Sequence, residues 1–188
     1  MKIILASQSS FRKHALDVLG LTYDTIPSNI DESLIQHPVP AELAQLLSRA
    51  KAQKIGDANP NALIISADLF VVHDNKILGK PRDEDHAKEM LRSFSGSTFD
   101  IITGLVVYNS RTKKFLSSSE ACKVRFRNLS DFEINDYVSR FPAVKCAGAF
   151  EADGLLRFAE YIEGNYNFKT AMPVNKLIVF LRENGVRV

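Results

Sequence analysis

An aspartate stands inside the most apolar run of this sequence. Asp68 follows Ile64, Ile65 and Ala67 and precedes Leu69, Phe70, Val71 and Val72. A carboxylate in such company costs free energy unless it is paired or holds a metal. Its position therefore asks for a cation, whether structural or chemical. Asp31 and Glu32 follow Ile30 and on their own suit a solvated loop. Together, Glu32 and Asp68 supply the hard oxygen ligands that Mg²⁺ prefers while it keeps waters and phosphate oxygens in its shell.

Three basic segments could meet such phosphates. Ser7-Gln8-Ser9-Ser10-Phe11-Arg12-Lys13 lies between an apolar stretch and a helical pattern. Backbone N–H groups at a helix start attract anions, and hydroxyls add donors. Ser10 suits a plain N-cap equally well. Arg12 and Lys13, however, fall in the first turn, where the helix dipole disfavours a cation unless an anion is there too. A phosphate accounts for both. Gly79-Lys80-Pro81 holds a lysine extended ahead of a proline, without the glycine run and the Ser/Thr of a Walker loop. Lys51, within a helical pattern, is by default a solvated surface lysine.

Other chemistry finds less support. Cys122 and Cys146 lack the close spacing of a redox or zinc motif and read as buried thiols. His14, His37, His73 and His86 form no i, i+4 pair, so no zinc site is expected.

The elements that must position these residues follow from periodicity. Residues 2–6 predict a buried strand, and the amphipathic run with Ala15, Leu16, Val18 and Leu19, stopped by Gly20, predicts a helix. A second strand is expected over 21–26. Leu43, Leu46, Leu47 and Ala50 place a helix over 40–55, ended by Asp57-Ala58-Asn59-Pro60-Asn61. Residues 63–72 predict a central strand carrying Asp68, and Asp74-Asn75 a hairpin turn into 76–78. A helix over 83–94 opens on three acids suited to its positive end. Strands are expected near 99–108 and 114–126. Ser130 with Glu133 matches a capping box opening a helix to about Ser139. The last third predicts a strand near 155–162, a Gly/Asn-rich loop at 164–167 and a helix after Pro173, which suits the first-turn preference of proline. Interleaved strands and helices, with hairpins as well as crossovers, predict an α/β fold with a mixed sheet.

The composition agrees. The 188 residues are 45% hydrophobic and 24% charged, the balance of a globular chain, and no linker-like stretch divides them, so one domain over 1–188 is expected. With 24 basic and 22 acidic residues the net charge is +2, too small a field to argue for nucleic acid or an anionic membrane as partner. The apolar start, residues 1–6, is too short for a signal peptide or a membrane span. A cytoplasmic protein is expected.

These pieces, in this order, resemble the Maf family. Leu5-Ala6-Ser7-Gln8-Ser9, Ile30-Asp31-Glu32, Ala50-Lys51-Ala52, Asp68 and Gly79-Lys80-Pro81 follow its pattern, and Ser95-Gly96, Thr103-Gly104 and Ala147-Gly148 continue it. The resemblance implies a mixed twisted sheet with flanking helices, two lobes around a cleft, similar to the inosine triphosphatase fold, and often a homodimer. It implies hydrolysis of a nucleoside triphosphate to monophosphate and pyrophosphate with a divalent cation, Mg²⁺ or Mn²⁺. Asp68 becomes the proton acceptor. Ser7, Ser9, Arg12, Lys51 and Lys80 surround the phosphates, and Glu32 shares the metal with Asp68. Fixed cations of this kind stabilise the charge that builds up when water attacks the α-phosphorus, and no Ser or Cys nucleophile is required.

Three departures from the pattern bear first on base specificity and second on catalytic competence. Ser9-Ser10-Phe11-Arg12 replaces the common Ser-Pro-Arg-Arg, Leu69 follows the aspartate in place of Thr or Gln, and Ala171-Met172-Pro173 replaces Gly-Leu-Pro. Phe11 and Asp153 resemble the branch of 7-methyl-GTP pyrophosphatases. An aromatic face attracts a cationic methylated guanine, and a carboxylate accepts from its N–H donors. Leu69 lacks the amide that this branch usually offers. Maf proteins are also associated with inhibition of septum formation, so a nucleotide-binding regulator is the second reading. A nucleic-acid binder using Lys123, Arg125 and Arg127 is the third, although alternating basic residues on a strand more often form a solvated face.

Overall fold

The computed structural model describes residues 1–165 and 167–188. In chain order the elements are β1 (Lys2–Leu5), α1 (Ser10–Val18), β2 (Asp24–Thr25), α2 (Pro40–Ala58), β3 (Ala62–His73), β4 (Lys76–Leu78) and α3 (Glu84–Phe94). They continue as β5 (Thr98–Asn109), β6 (Lys114–Phe126), α4 (Asp131–Arg140), α5 (Ala152–Phe158), β7 (Ala159–Gly164), α6 (Asn167–Thr170) and α7 (Val174–Glu183). The strands are hydrogen-bonded in the order β2-β1-β3-β5-β6-β7, with β4 on β3. Pairing is mixed: β1 runs parallel to β2 and β3, whereas β3–β4 and β6–β7 are antiparallel. The α/β fold with a mixed sheet is therefore as expected.

The chain forms two compact units. One comprises Met1–Leu69, Thr103–Glu120 and Tyr166–Val188, and the other Phe70–Ile102 and Ala121–Asn165.

In the first unit the strands are covered on both faces, which is why β3 reads as a near-continuous apolar run. Ile3, Leu5, Leu63, Ile65, Leu105 and Val107 share one core with Ala15 and Leu16 of α1 and Leu177 and Leu181 of α7. Ile4, Ala6, Ala62, Ile64, Val106 and Tyr108 share the other with Ala52 and Ile55 of α2. Side chains alternate along a strand, so Ser66 and Asp68 follow Ile64 on the α2 face. Gly104 lets α2 come very close. A Cβ there would sit 2.5 Å from the Ala44 carbonyl carbon. Gly104 thus seats the helix that carries Lys51.

In the second unit the local signals behave as written. Asp74 and Asn75 have φ of 48° and 60°, the paired left-handed conformation of a two-residue hairpin turn. Ser130 and Glu133 form a complete capping box. The Arg127 hydrogen bond, and then those of Ser130, hold the Glu133 carboxyl down to about 2. Phe94, Phe99, Phe126 and Phe150 make an aromatic core with ring centroids 4.5–5.8 Å apart. The alternating basic residues of β6 pair within the unit: Lys123 with Asp100, Arg125 with Glu160 and Arg127 with Glu133.

Several expectations need correction. The strand predicted near 155–162 begins only at Ala159, and residues 152–158 are helical. Leu155 and Phe158 bury at i, i+3 spacing, and Gly154 meets the Tyr137 hydroxyl where a Cβ would overlap it. The strand predicted over 21–26 shrinks to Asp24–Thr25. Val18 is exposed. The helix expected after Pro173 forms as α7, with Pro173 as its N-cap. The loop at 164–167 lies partly outside the described residues, at position 166; Gly164 ends β7 and Asn167 opens α6.

Candidate active site

Five of the residues singled out by chemistry meet in the first unit. Asp68 is anchored through both oxygens. Its Oδ1 accepts from the Leu69 N–H at 2.9 Å, and its Oδ2 accepts from Lys51 Nζ at 2.9 Å. The same ammonium lies 2.9 Å from Glu32 Oε1. One lysine therefore bridges two carboxylates, with side-chain exposures of 10% for Lys51, 13% for Asp68 and 54% for Glu32. Lys51 is not a solvated surface lysine. It lies on the buried face of α2, with Leu47, Ser48, Ala52 and Ile55.

Local structure aims each group. Asp31 accepts from the Ser33 N–H and hydroxyl and so caps a 3₁₀ turn at Glu32–Leu34, whose first residue is the Glu32 that meets Lys51. At the start of α1 the N-cap position is Ser9, not Ser10, and Ser9 makes no side-chain capping bond. Its N–H donates to Ser7 Oγ at 3.2 Å. Ser7 Oγ also accepts from Arg12 Nη1 at 3.0 Å.

Arg12 is held at three nitrogens. Nη1 is on Ser7, Nε donates to the Ala171 carbonyl at 3.1 Å, and Nη2 lies 4.0 Å from Asp68 Oδ1. Burial pushes its pKa down, and the charges of Asp68 and then Glu32 pull it back up. A guanidinium keeps its charge under such opposing pulls.

A recess of about 340 Å³ opens over this cluster, lined by Ser7, Gln8, Arg12, Ser28, Glu32 and Lys51 among others. That volume is within the range of small-molecule sites. Its wall carries two cations, Arg12 and Lys51, the Glu32 carboxylate and the hydroxyls of Ser7 and Ser28, and Asp68 is bonded to Lys51. This arrangement can bind phosphate oxygens, and a carboxylate beside them can accept a proton. Among the described residues no three His, Cys, Asp or Glu side chains converge. Glu32 and Asp68 share the Lys51 ammonium, and one or two carboxylates are what Mg²⁺ takes when phosphates and waters complete its shell. The donor chemistry fits a divalent cation.

Other singled-out residues lie elsewhere. Phe11 is in the first turn of α1 with 41% of its surface exposed. Leu69 contributes its backbone N–H to Asp68. Lys80 and Asp153 belong to the second unit. Lys80 is exposed after β4, where its charge lowers the Cys146 thiol pKa against the larger upward push of burial and Glu151. Asp153 is in the first turn of α5. The sequence reading missed Ala171 as a partner of Arg12, because a backbone carbonyl leaves no trace in residue type. No helix among the described residues is long and apolar enough to cross a membrane.

Comparison with known proteins places this geometry in context. The sequence model of the Maf family, described as Maf-like protein, matches residues 2–184. The 7-methyl-GTP pyrophosphatase of Hydrogenovibrio crunogenus is 36% identical over 189 residues, covering 100% of this chain and 94% of that protein. The dTTP/UTP pyrophosphatase of Syntrophomonas wolfei is 35% identical over 185 residues, covering 98% of each. The dTTP/UTP pyrophosphatase of Aquifex aeolicus is 38% identical over 184 residues, covering 97% and 95%. Among solved structures, the Staphylococcus aureus Ham1 protein matches with a TM-score of 0.55 at 11% identity, covering 98% of this chain and 100% of that one. A HAM1 protein from Coxiella burnetii matches with a TM-score of 0.50 at 14% identity, covering 97% and 99%. At such identities the likeness is one of fold, and it is the inosine triphosphatase-like fold expected from the sequence.

Proposed function

The chain belongs to the Maf family, and from that premise we propose that it hydrolyses nucleoside triphosphates to the monophosphate and pyrophosphate, with 7-methyl-GTP as the preferred substrate. The observation that carries the reaction is the bridged triad: Lys51 between Glu32 and Asp68, with Arg12 and Ser7 beside it. Phosphate oxygens compete for the Lys51 ammonium and for the Arg12 guanidinium. As Lys51 turns to them, Asp68 is freed to orient the attacking water and take its proton. Ser7 and Ser9 add donors at the start of α1, and Lys80 joins the phosphate cations by its place in the family pattern.

Glu32 and Asp68 would hold a divalent cation, Mg²⁺ or Mn²⁺, whose charge offsets that of the phosphates and the leaving pyrophosphate. EDTA is expected to abolish turnover, and either ion to restore it. Full activity after thorough chelation would contradict the metal role.

The base preference rests on Phe11 and Asp153. Phe11 presents an exposed ring beside the phosphate-facing start of α1, and 7-methylation makes guanine a cation that such a ring attracts. Asp153 accepts from guanine N–H donors in the family branch that this chain resembles. Relatives with both substrate names are nearly equally similar, so Phe11 and Asp153 decide between them. Cation–π attraction of about 0.5–2 kcal/mol corresponds to a preference of roughly two- to thirtyfold. The amide that Leu69 cannot offer reduces it by about one hydrogen bond of roughly 0.5–1.5 kcal/mol. Measured side by side, 7-methyl-GTP is expected to exceed dTTP in kcat/KM, and Phe11→Ala and Asp153→Ala to narrow the ratio. A ratio unmoved by either replacement would remove both residues from base recognition.

A further inference from the structure

Arg12 owes its orientation to one backbone carbonyl. Its Nε donates to Ala171 O at 3.1 Å across 159 positions of sequence, while Nη1 donates to Ser7 Oγ at 3.0 Å. A guanidinium is planar, so fixing Nε and one terminal nitrogen fixes the plane of the whole group. The third nitrogen then lies 4.0 Å from Asp68.

Ala171 itself is in an uncommon conformation. Its φ is +52°, left-handed backbone that a residue with a Cβ adopts at a cost and that a β-branched residue resists strongly. The turn is held from both sides. Thr170 Oγ1 donates to the Met172 carbonyl at 2.8 Å, and the Met172 side chain is fully buried in the core shared by α1 and α7. Pro173 restricts Met172 to extended backbone. A strained residue persists where its surroundings over-determine it, and such strain clusters at functional sites. The strained conformation aims the 171 carbonyl at Arg12.

We propose that Ala171 is a positioning residue that acts through Arg12: its left-handed backbone sets the guanidinium plane toward Ser7, Asp68 and the phosphate recess. The kinetic consequence rests on the pyrophosphatase reading, whereas the structural consequence can be read without any turnover.

The test follows the Arg12 Nε–H in ¹⁵N-labelled protein, its signal assigned by loss in Arg12→Lys. In the unsubstituted protein this proton is expected to exchange with water at least about tenfold more slowly than the Nε–H of exposed arginines. Ala171→Gly, which accepts positive φ freely, should keep that protection, and Ala171→Val should lose it. A double-mutant cycle supplies the kinetic arm. Ala171→Val should lower kcat/KM by about tenfold or more, as misplaced groups do, yet by less than about twofold once Arg12 is already alanine. Equal protection in Ala171→Val, or the same loss in both Arg12 backgrounds, would overturn the proposal. If Ala171→Val does not fold, the unsubstituted protein decides: an Arg12 Nε–H exchanging as fast as an exposed one overturns it. A protein without turnover on any nucleotide would count against the pyrophosphatase reading and leave the exchange result standing.

Discussion

Asp68→Asn is expected to leave a folded protein whose kcat is lower by about 10²–10⁴, the range for loss of a positioned general base. Asparagine has the same shape but one acceptor oxygen. Held in the same geometry, it keeps an oxygen toward either the Leu69 N–H or the Lys51 ammonium and turns an NH₂ donor toward the other, whereas the carboxylate accepts from both. One charge-assisted hydrogen bond is lost, about 1.5–3 kcal/mol, which a chain of this length registers as a fall in Tm of roughly 3–12 °C. The kinetic loss should far exceed what that destabilisation explains. Circular dichroism melts and steady-state kinetics on the same preparation separate the two. Near-normal turnover in folded Asp68→Asn would remove Asp68 from the mechanism.

Lys51→Ala is expected to damage both activity and stability. A lysine on a solvated helix face could be truncated at little cost to stability, but here the ammonium is the shared partner of two carboxylates and its side chain is 10% exposed. Removing it leaves the part-buried Asp68 with the Leu69 N–H at 2.9 Å and Arg12 Nη2 at 4.0 Å. Removing one partner of a buried pair costs about 3–5 kcal/mol. Glu32 is half exposed, so a value at or below the lower end applies, roughly 6–12 °C in Tm. Since the same ammonium must also meet the phosphates, kcat/KM should fall at least about a hundredfold. An unchanged Tm would show that the bridge contributes nothing to the fold, and unchanged kinetics that Lys51 does not meet the substrate.

The difference between these variants also marks what the sequence can and cannot convey. Asp68 was legible because an acid among Ile64, Ile65, Ala67 and Leu69 is anomalous by composition alone. Lys51 was not, because its burial depends on how closely α2 approaches β5, and that is set by Gly104 some fifty positions away. Signals carried by adjacent residues were faithful: Asp74-Asn75 makes its hairpin and Ser130 with Glu133 its capping box. Residues 155–158 read as strand in the sequence because Leu155, Leu156 and Phe158 show no clear period in so short a stretch. Its helix depends on tertiary packing of Gly154 against Tyr137. Ala171 is legible as a departure from Gly-Leu-Pro, but its role is not, since its contribution is a carbonyl direction set by a backbone angle.

The phosphorus at which water attacks the triphosphate chain decides which products form. The cluster of Ser7, Arg12, Glu32, Lys51 and Asp68 is read as a site for attack at the α-phosphorus, with pyrophosphate leaving as a unit. Hydrolysis of 7-methyl-GTP and dTTP in H₂¹⁸O, with mass spectrometry of the separated products, examines that point alone. One ¹⁸O in the nucleoside monophosphate and none in the pyrophosphate is the predicted result. Label in the pyrophosphate, or nucleoside diphosphate and orthophosphate as the products, would contradict the account.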